Sequence, residues 1–277
     1  MPPRANLASL RARYVGQGKA LPPGLRAELE ADPRQGVQAL LKAIKGRASA
    51  NRSEGQRLKH LLKFELELYG RGFTLIAGVD EAGMAPLAGP VVAGAVILPR
   101  GYKLRGLDDS KKILDEEKRD ALAVDIKRDA IAWASGWASP EEIDTINIYH
   151  AGLLAMRRAV EGLAIAPDFC LVDARRIPHI TQPQRGIIRG DELSMSIAAG
   201  SIIAKTTRDK HMAELDALHP GWGLKSHKGY PTPEHFRAIK KLGVLPFHRR
   251  SFAPIKRALG LVPQQDELFE AAAARRA

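Results

Sequence analysis

The sequence predicts an α/β core with a small helical N-terminal extension, and three observations support this prediction. From residue 72 onward, β-rich runs alternate with amphipathic helical patterns, which is typical of a sheet covered by helices. The first 71 residues show only helical spacing and carry most of the net positive charge. Three of the β-rich runs end in carboxylates, and functional groups gather at strand ends in open α/β sheets.

Residues 1–71 are predicted to form a basic helical extension. Apolar residues recur at helical spacing in two stretches, at Val37, Leu40, Leu41 and Ile44 and again at Leu58, Leu61, Leu62 and Leu66, the second face including one charge, Glu65. Asp32-Pro33 is typical of a helix start, and Gly46 with the stretch 49–55 is predicted to separate two helices. Residues 1–70 contain 13 Lys and Arg against 6 Asp and Glu, so they carry +7 of the net charge of +12. The extension either contacts a polyanion or is a solvated arm without a role.

The predicted elements of the domain 72–262 follow a clear order. In chain order they are a β-hairpin from runs 73–80 and 90–98, an amphipathic helix at 115–130, a strand at 131–138, a helix capped by Ser139, Pro140 and Glu142, short apolar runs at 168–174 and 186–191, a long helix at 194–218, and basic loops with short helices. Residues 263–277 are expected to form a frayed tail.

The overall composition favours a folded protein with a polyanionic partner. Of the 277 residues, 45% are hydrophobic and 27% are charged, which predicts a packed core. The net charge of +12 favours nucleic acid as partner, with an inert basic surface as the alternative. The one cysteine, Cys170, excludes an internal disulfide and a multi-cysteine zinc site. The N-terminus lacks a signal-peptide core, and no apolar run approaches the ~20 residues of a bilayer span, so we expect a cytoplasmic protein without membrane contact.

Four carboxylates stand out because they end apolar runs. Asp80 and Glu81 follow the first run, Asp173 follows a second and Asp191 a third. Such a cluster can bind hard divalent cations or supply an acid–base pair, and each single carboxylate could instead be an ion-pair partner or an N-cap. A basic surface beside acidic groups favours a metal-dependent nuclease, because metal ions reconcile the carboxylates with a phosphodiester. The sequence has no phosphate-binding loop of the Gly-Lys-Ser/Thr type.

Seven longer motifs make the prediction more specific. They are GVDEAG with PLAGPVVAGAVIL, LDDSKK, EEIDTINIYHAGLLAMRRAV, LVDA, RGDELSMSIAAGSIIAKTTRD, HKGYPTPEH and HRRSFAPIKRALG. In this order and spacing the chain resembles the ribonuclease HII family over roughly residues 72–262. The resemblance implies a ribonuclease H-like fold, with a mixed central sheet flanked by helices. It implies endonucleolytic cleavage of RNA in RNA–DNA hybrids and incision at single ribonucleotides in duplex DNA, with Mg²⁺ or Mn²⁺, by a protein expected to be a monomer. The extension resembles the N-terminal arm of Gram-positive-type members.

The resemblance also implies roles for individual residues. Asp80 is expected to bridge two metal ions, Glu81 and Asp173 to hold one, and Asp191 to complete the other. Strand alternation would point Glu81 away from Asp80 unless the strand ends or kinks there. Tyr230 matches a tyrosine that stacks on the sugar beside the cut, with a loop anchor between Gly and Pro as the alternative. The candidate phosphate contacts are Ser110, Lys111, Lys112, Arg249 and Arg250.

Three further residues of these motifs are interpreted as structural. Asp209 is expected to form an ion pair within its helix, with Lys205 or Arg208 as partner. His227 and His248 are expected to be ordinary loop histidines rather than metal ligands.

The tripeptide Gly83-Met84-Ala85 departs from the family, which usually has Gly-Arg-Gly. There the backbone approaches the ribose 2′-hydroxyl and the arginine contacts a phosphate. We expect the Cβ of Ala85 to strain the loop if that position needs a positive φ, and Met84 to lack the phosphate contact. Cleavage at a lone ribonucleotide is expected to suffer more than hybrid cleavage.

Two other functions remain open at this stage. One is a ribonuclease H-like nuclease acting on a different substrate, which the HKGYPTPEH motif disfavours. The other is a hybrid-binding protein without catalysis, which the intact carboxylate set disfavours because a pure binder would gain by losing negative charge near phosphate.

Overall fold

A single mixed sheet of five strands organises the computed structural model, which describes residues 6–262. The strands are β1 (Ile76–Ala82), β2 (Val91–Ile97), β3 (Ala132–Ala138), β4 (Phe169–Asp173) and β5 (Gln184–Ile187). Their order is β3-β2-β1-β4-β5, with β1–β2 and β2–β3 antiparallel and β1–β4 and β4–β5 parallel. The predicted hairpin and the mixed sheet are therefore confirmed. The predicted tail 263–277 lies outside the described residues.

Helices precede the sheet and cover it. Those before the sheet are α1 (Leu7–Arg11), which a π-helical turn (Ala12–Gly16) continues, α2 (Pro23–Glu30), α3 (Gln35–Leu61) and α4 (Lys63–Gly70). Those that follow β2 are α5 (Glu116–Asp129), α6 (Pro140–Glu161), α7 (Gly190–Leu193), α8 (Met195–Leu218), α9 (Leu224–His227), α10 (Pro233–Leu242) and α11 (Ala253–Ala258). The predicted capping box of α6 is present, with Ser139 and Glu142 exchanging hydrogen bonds.

Helix α8 lies directly on the backbone of β1 and β2. A Cβ on Gly78 would come within 1.9 Å of the Ser196 carbonyl carbon, and one on Gly94 within 2.3 Å of the Gly200 oxygen. Only glycine permits such an approach. The alternate strand residues, such as Ala77 and Val79, belong to the main core cluster, which packs against α6 on the other face. The sheet is thus sandwiched between α8 and α6.

Strand β4 carries the one cysteine of the chain. Cys170 pairs with Ala77 in the parallel ladder, and its side chain has no solvent exposure. Burial raises the pKa of its thiol to about 12. The thiol is therefore a packing group with very little thiolate character.

Within the described residues, 6–60 form one compact unit and a second begins at Leu61. The apolar residues predicted for the first face, Val37, Leu40, Leu41 and Ile44, are all buried, whereas Leu66 of the second predicted face is 51% exposed. The predicted break at Gly46 and 49–55 is wrong, because α3 runs unbroken from Gln35 to Leu61. An exposed glycine costs a helix only about 1 kcal/mol relative to alanine, which the apolar residues buried at both ends of α3 offset. The predicted helix start at Asp32-Pro33 is also wrong by two residues, because α3 begins at Gln35 and the Asp32 carboxylate instead accepts from the Arg34 amide.

Helix α4, within the predicted extension, packs against the sheet of the second unit. Its Leu68 packs with Ile76, Phe169 and Leu171 against β1 and β4. Its Glu65 is 1% exposed. The compact unit that begins at Leu61 therefore includes α4, and the predicted bounds of the extension stay a prediction.

Glu65 ties α4 to the start of α8. Its Oε1 accepts a hydrogen bond of 2.6 Å from the Ser194 hydroxyl and one of 2.9 Å from the Ser196 amide. Burial raises the pKa of this carboxyl. Because Ser194 is also the N-cap of α8, Glu65 fixes the corner at which α7 meets α8.

No helix within residues 6–262 has the length and apolar character that a bilayer crossing requires.

The Glu65 contact predicts a measurable loss of stability. Glu65→Ala leaves the Ser194 hydroxyl and the Ser196 amide buried without their acceptor, which should lower the free energy of unfolding by about 1–3 kcal/mol. Urea unfolding followed by circular dichroism measures this loss. The matched control is Glu67→Ala on the same helix. Its carboxylate is 45% exposed and pairs with Arg185, so it should cost less than about 0.5 kcal/mol. Equal losses for the two variants would contradict the structural role of Glu65.

Candidate active site

The four predicted carboxylates converge at one edge of the sheet. The ladder pairs Val79 with Val172, so Asp80 and Asp173 come next on neighbouring parallel strands. Asp191 does not end a strand, as the sequence had suggested. β5 stops at Ile187, and Asp191 lies in the first turn of α7. The charge of Asp191 nevertheless acts on both Asp80 and Asp173 and helps to raise their pKa values.

Asp80 and Glu81 follow the ordinary alternation of a strand. β1 keeps its pairing with β2 as far as Ala82, so it neither ends nor kinks at Glu81. Asp80 is on the α8 face, where the Ser201 hydroxyl favours its ionised form. Glu81 is on the α6 face and pairs with Arg175. The two carboxylates therefore lie on opposite faces of the sheet, and the charge of Glu81 still raises the pKa of Asp80.

Burial and mutual repulsion dominate the electrostatics of this cluster. Asp80 is 2% exposed, and burial raises its pKa well above the usual range, with further increases from Glu81, Asp173 and Asp191. Burial also raises the pKa of Glu81, which Arg175 opposes. It raises the pKa of Asp173, which a 2.7 Å hydrogen bond from the Gly190 amide opposes. Such a cluster is stable in its ionised form only if positive charge enters it.

Two side chains supply part of that charge. Lys111 Nζ lies 3.2 Å from Asp191 Oδ2, and Arg175 Nη2 lies 3.2 Å from Glu81 Oε1. Burial lowers the pKa of Lys111, but the charges of Asp191, Asp80 and Asp109 outweigh burial and raise it. Neither cation contacts Asp80 at ion-pair distance.

The residues of the cluster fit a hard divalent cation. Within residues 6–262, Asp80 Oδ2 and Glu81 Oε2 are buried carboxylate oxygens without a hydrogen-bond partner. All available donors are oxygens, which Mg²⁺ and Mn²⁺ prefer. In residues 6–262, no group of three Asp, Glu, His or Cys side chains has the arrangement of a formed metal site. Lys111 and Arg175 occupy two of the carboxylates, so a metal would have to compete with them.

Ser110 and Arg249 are not available as phosphate contacts, contrary to the sequence-based expectation. Ser110 is 5% exposed, and its hydroxyl shares a 2.8 Å hydrogen bond with the Ser201 hydroxyl. Arg249 has no solvent exposure, and its guanidinium donates to the carbonyl oxygens of Gly83, Met84, Gly89 and Pro90. Lys111 stays at the site, and Arg250 is exposed.

A second buried arginine was missed by sequence analysis. Arg208 of α8 has no solvent exposure and donates to the carbonyl oxygens of Ala88, Pro90 and Lys228. Together with Arg249 it holds the loop 83–90 by its backbone. A signal was available, because Arg208 falls at helical spacing from Ser201 and Ala204 on the buried face of α8. Burial lowers the pKa of Arg249 to about 9 and also lowers that of Arg208.

The loop 83–85 carries its unusual residues without the strain that we expected. The left-handed residue is Gly83, with φ of 93°, and a Cβ there would lie 2.2 Å from Arg208 Nε. Ala85 is exposed and does not have a positive φ, so its Cβ is tolerated. Met84 is partly buried against the main core cluster, and its Sδ lies 3.1 Å from the position of a Cβ on Gly152 of α6.

Tyr230 is presented on a rigid loop. Its ring is 36% exposed and lies 5.8 Å from Lys205 Nζ. The Tyr230 carbonyl bonds with Nδ1 of His235, whose Nε2 lies 3.2 Å from Nε2 of His248. Burial lowers the pKa of both histidines to about 4. The loop thus has a fixed backbone beneath an accessible ring.

The structural interpretations of the remaining motif residues agree with their contacts. All ring nitrogens of His227, His235 and His248 are hydrogen-bonded to the backbone or to each other. Asp209 pairs with Lys205 at 2.8 Å, and its second partner is Arg119 at 3.6 Å rather than Arg208.

Known proteins share both the sequence and the architecture. The sequence model of ribonuclease HII matches residues 77–255, and that of the ribonuclease HII N-terminal domain matches residues 19–69. Ribonuclease HII of Myxococcus xanthus is 64% identical over 255 residues, covering 92% of this chain and 87% of the relative. The protein of that name from Anaeromyxobacter is 59% identical, covering 96% and 84%.

Solved structures agree on the fold. The ribonuclease H2 of Pyrococcus horikoshii superposes with a TM-score of 0.57 at 24% identity, covering 67% of this chain and 97% of that one. The ribonuclease HII in a complex with PCNA from Archaeoglobus fulgidus gives 0.52 at 24% identity, covering 70% and 100%. The predicted ribonuclease H-like fold is confirmed. The bacterial relatives are 59% and 64% identical over nearly the whole chain. The protein therefore belongs to the ribonuclease HII family of metal-dependent endoribonucleases.

Proposed function

We propose that this endoribonuclease cleaves the RNA strand of RNA–DNA hybrids with two divalent ions, Mg²⁺ or Mn²⁺, held by Asp80, Glu81, Asp173 and Asp191. The proposal rests on the surroundings of Asp80. Its carboxylate is buried beside three other carboxylates, and one of its oxygens has no hydrogen-bond partner. Bound there, the ions would activate the attacking water and stabilise the leaving oxygen. All four carboxylates come from one chain, so a monomer suffices. A cytoplasmic location accords with this role.

The loop 83–85 is suited to recognise the ribose. Arg249 fixes the carbonyl oxygens of Gly83 and Met84 at 2.6 Å and 3.2 Å. In a trans peptide the carbonyl and the amide N–H point in opposite directions. The amides of Met84 and Ala85 therefore point away from the guanidinium and can meet a 2′-hydroxyl. We propose that the protein also incises duplex DNA at single ribonucleotides on this basis.

Lys111 and Tyr230 complete the proposed substrate contacts. The Lys111 side chain is 72% exposed while its Nζ reaches Asp191, so it can meet a phosphate at the edge of the site. The exposed ring of Tyr230 can stack on a sugar. Neither contact reads base sequence, which suits an enzyme that must accept any hybrid.

Removing the central carboxylate tests the catalytic assignment. Asp80→Asn keeps the shape but removes the charge, so hybrid cleavage with Mg²⁺ should fall by at least about 10²-fold while the protein stays folded. Binding of the hybrid should hold or tighten, because less negative charge faces the phosphates. Cleavage is measured on a labelled hybrid across a Mg²⁺ titration, with Asp168→Asn, just before β4 at its end opposite Asp173, as a control for loss of an acidic side chain elsewhere. Near-normal turnover of Asp80→Asn would rule out the assigned site.

The loop residues can be tested by restoring the family pattern. Met84→Arg with Ala85→Gly adds a cation beside the substrate, and a charge-assisted contact is worth roughly 1.5–3 kcal/mol, or about 10- to 150-fold. The double variant should raise kcat/KM for a duplex with one ribonucleotide much more than kcat/KM for a hybrid. Ala85→Gly alone is the control and should change little, because Ala85 has no positive φ. An unchanged ratio in the double variant would show that the loop substitution is neutral.

The N-terminal unit is proposed to strengthen binding by charge. Residues 1–60 hold twelve Lys and Arg against four Asp and Glu, a net +8. Deleting them spares Glu65 and Leu68, which the second unit needs. The truncated protein should keep its metal requirement but bind hybrids more weakly, with a salt slope shallower by about 0.9 per lost phosphate contact.

A full-length variant controls for the truncation. It replaces the exposed Lys42, Arg52 and Lys59 of α3 with Gln, and it should move affinity in the same direction by a smaller amount. Titrations of hybrid binding at several salt concentrations measure both effects. If affinity and slope stay unchanged in both proteins, the unit does not contact substrate.

A further inference from the structure

We infer that Arg175 is an exchangeable counter-ion: it neutralises Glu81 in the metal-free enzyme and moves to a substrate phosphate when a divalent ion takes over that carboxylate. The inference rests on the proposed metal site and adds to it a phosphate-binding residue. Arg175 was not among the sequence-based candidates. It follows β4 at the edge of the sheet where the carboxylates converge.

The backbone around Arg175 is shaped to bring its side chain to Glu81. Ala174, between Asp173 and Arg175, has a φ of 49°, which is unusual for a residue with a Cβ. Its amide is held by the Ile187 carbonyl at 2.8 Å. This left-handed residue turns the chain at the end of β4. A strained residue that the surrounding structure fixes beside a reactive cluster points to a functional constraint.

Helix α6 provides a platform for the guanidinium. Asn147 breaks the helix with φ of 66°, and its side chain accepts from the amides of Tyr149 and His150. The Tyr149 ring, 51% exposed, lies 5.1 Å from the Arg175 guanidinium carbon. Gly152 leaves room for the other side, since a Cβ there would lie 2.8 Å from Arg175 Nη1. The guanidinium is thus oriented by an aromatic face and a glycine, neither of which neutralises it.

The ion pair between Arg175 and Glu81 is incomplete on both sides. Nη2 of Arg175 reaches Glu81 Oε1 at 3.2 Å, but within the described residues its buried Nη1 has no hydrogen-bond partner. Glu81 Oε2 is likewise buried without a partner. A permanent buried pair is normally bidentate with its remaining atoms satisfied. Here each partner keeps unused capacity, as expected if each binds something else in the working enzyme.

The unpartnered Glu81 oxygen suits the divalent ion, and the unpartnered Arg175 nitrogen suits the substrate phosphate. Glu81 lies beside Asp80 and Asp173, so a divalent cation is its better partner. A displaced guanidinium at the edge of this site meets a backbone phosphate, for which its planar fork is suited. Arg175 therefore competes with metal and cooperates with substrate. These two effects have opposite signs, which distinguishes exchange from a purely structural ion pair.

The experiment compares Arg175→Met with Arg185→Met. Arg185 is the matched control, because it pairs with one carboxylate, Glu67, at 3.1 Å and lies 4.9 Å from the Phe64 ring. Mn²⁺ affinity is measured by electron paramagnetic resonance of free Mn²⁺. KM and kcat for a hybrid are measured at saturating Mg²⁺. Arg175→Gln serves as a second neutral variant that can still donate a hydrogen bond to Glu81.

Both Arg175 variants should bind Mn²⁺ about three- to tenfold more tightly and should raise the hybrid KM by a similar factor, with kcat within about twofold. Their melting temperature should fall without metal and recover with it. Arg185→Met should leave Mn²⁺ affinity and KM unchanged. Unchanged or weaker Mn²⁺ binding in the Arg175 variants, or an unchanged KM, would overturn the exchange. Absence of Mn²⁺ binding in the parent protein would instead overturn the proposed metal site.

Discussion

The backbone contact between α8 and strands β1 and β2 is the constraint on which the rest of the site depends. Because Gly78 and Gly94 lack side chains, the helix comes close enough to bury Asp80 at the end of β1. A carboxylate in that position cannot be hydrated, so its neighbours decide whether it is charged. The close packing of the helix therefore creates the demand for positive charge at the active site. A looser contact would hydrate Asp80 and remove that demand.

Positive charge serves two separate purposes in this molecule. Arg208 and Arg249 are buried away from the carboxylates and bind only backbone carbonyl oxygens, which fixes the shape of the loop 83–90. Lys111 and Arg175 lie beside the carboxylates and bind side-chain oxygens. The first pair supplies geometry, and the second supplies charge. A lysine could not replace either buried arginine, because each guanidinium spreads three or more hydrogen bonds in a fixed plane.

Local patterns were sufficient to predict most elements and the four carboxylates, and they failed where long-range packing decides. The capping box, the hairpin and the apolar face of α3 follow from neighbouring residues, and the structure has them all. The unbroken α3 and the membership of α4 depend on what these helices pack against. Arg249 looked like a phosphate contact because a sequence shows charge but not burial. Ala85 looked strained because its φ could not be known, and Arg175 was overlooked because its partner Glu81 is distant in sequence.

The buried Cys170 has a consequence for site-specific labelling of this protein. Its thiol has no solvent exposure and a strongly raised pKa, so maleimide and nitroxide reagents should leave it unmodified in the folded protein. Two cysteines can then be introduced, one at an exposed position of residues 6–60 and one at an exposed position of the second unit. Only these two thiols would react, so Cys170 need not be replaced. Fluorescent or nitroxide probes attached there would report on hybrid binding at each unit separately.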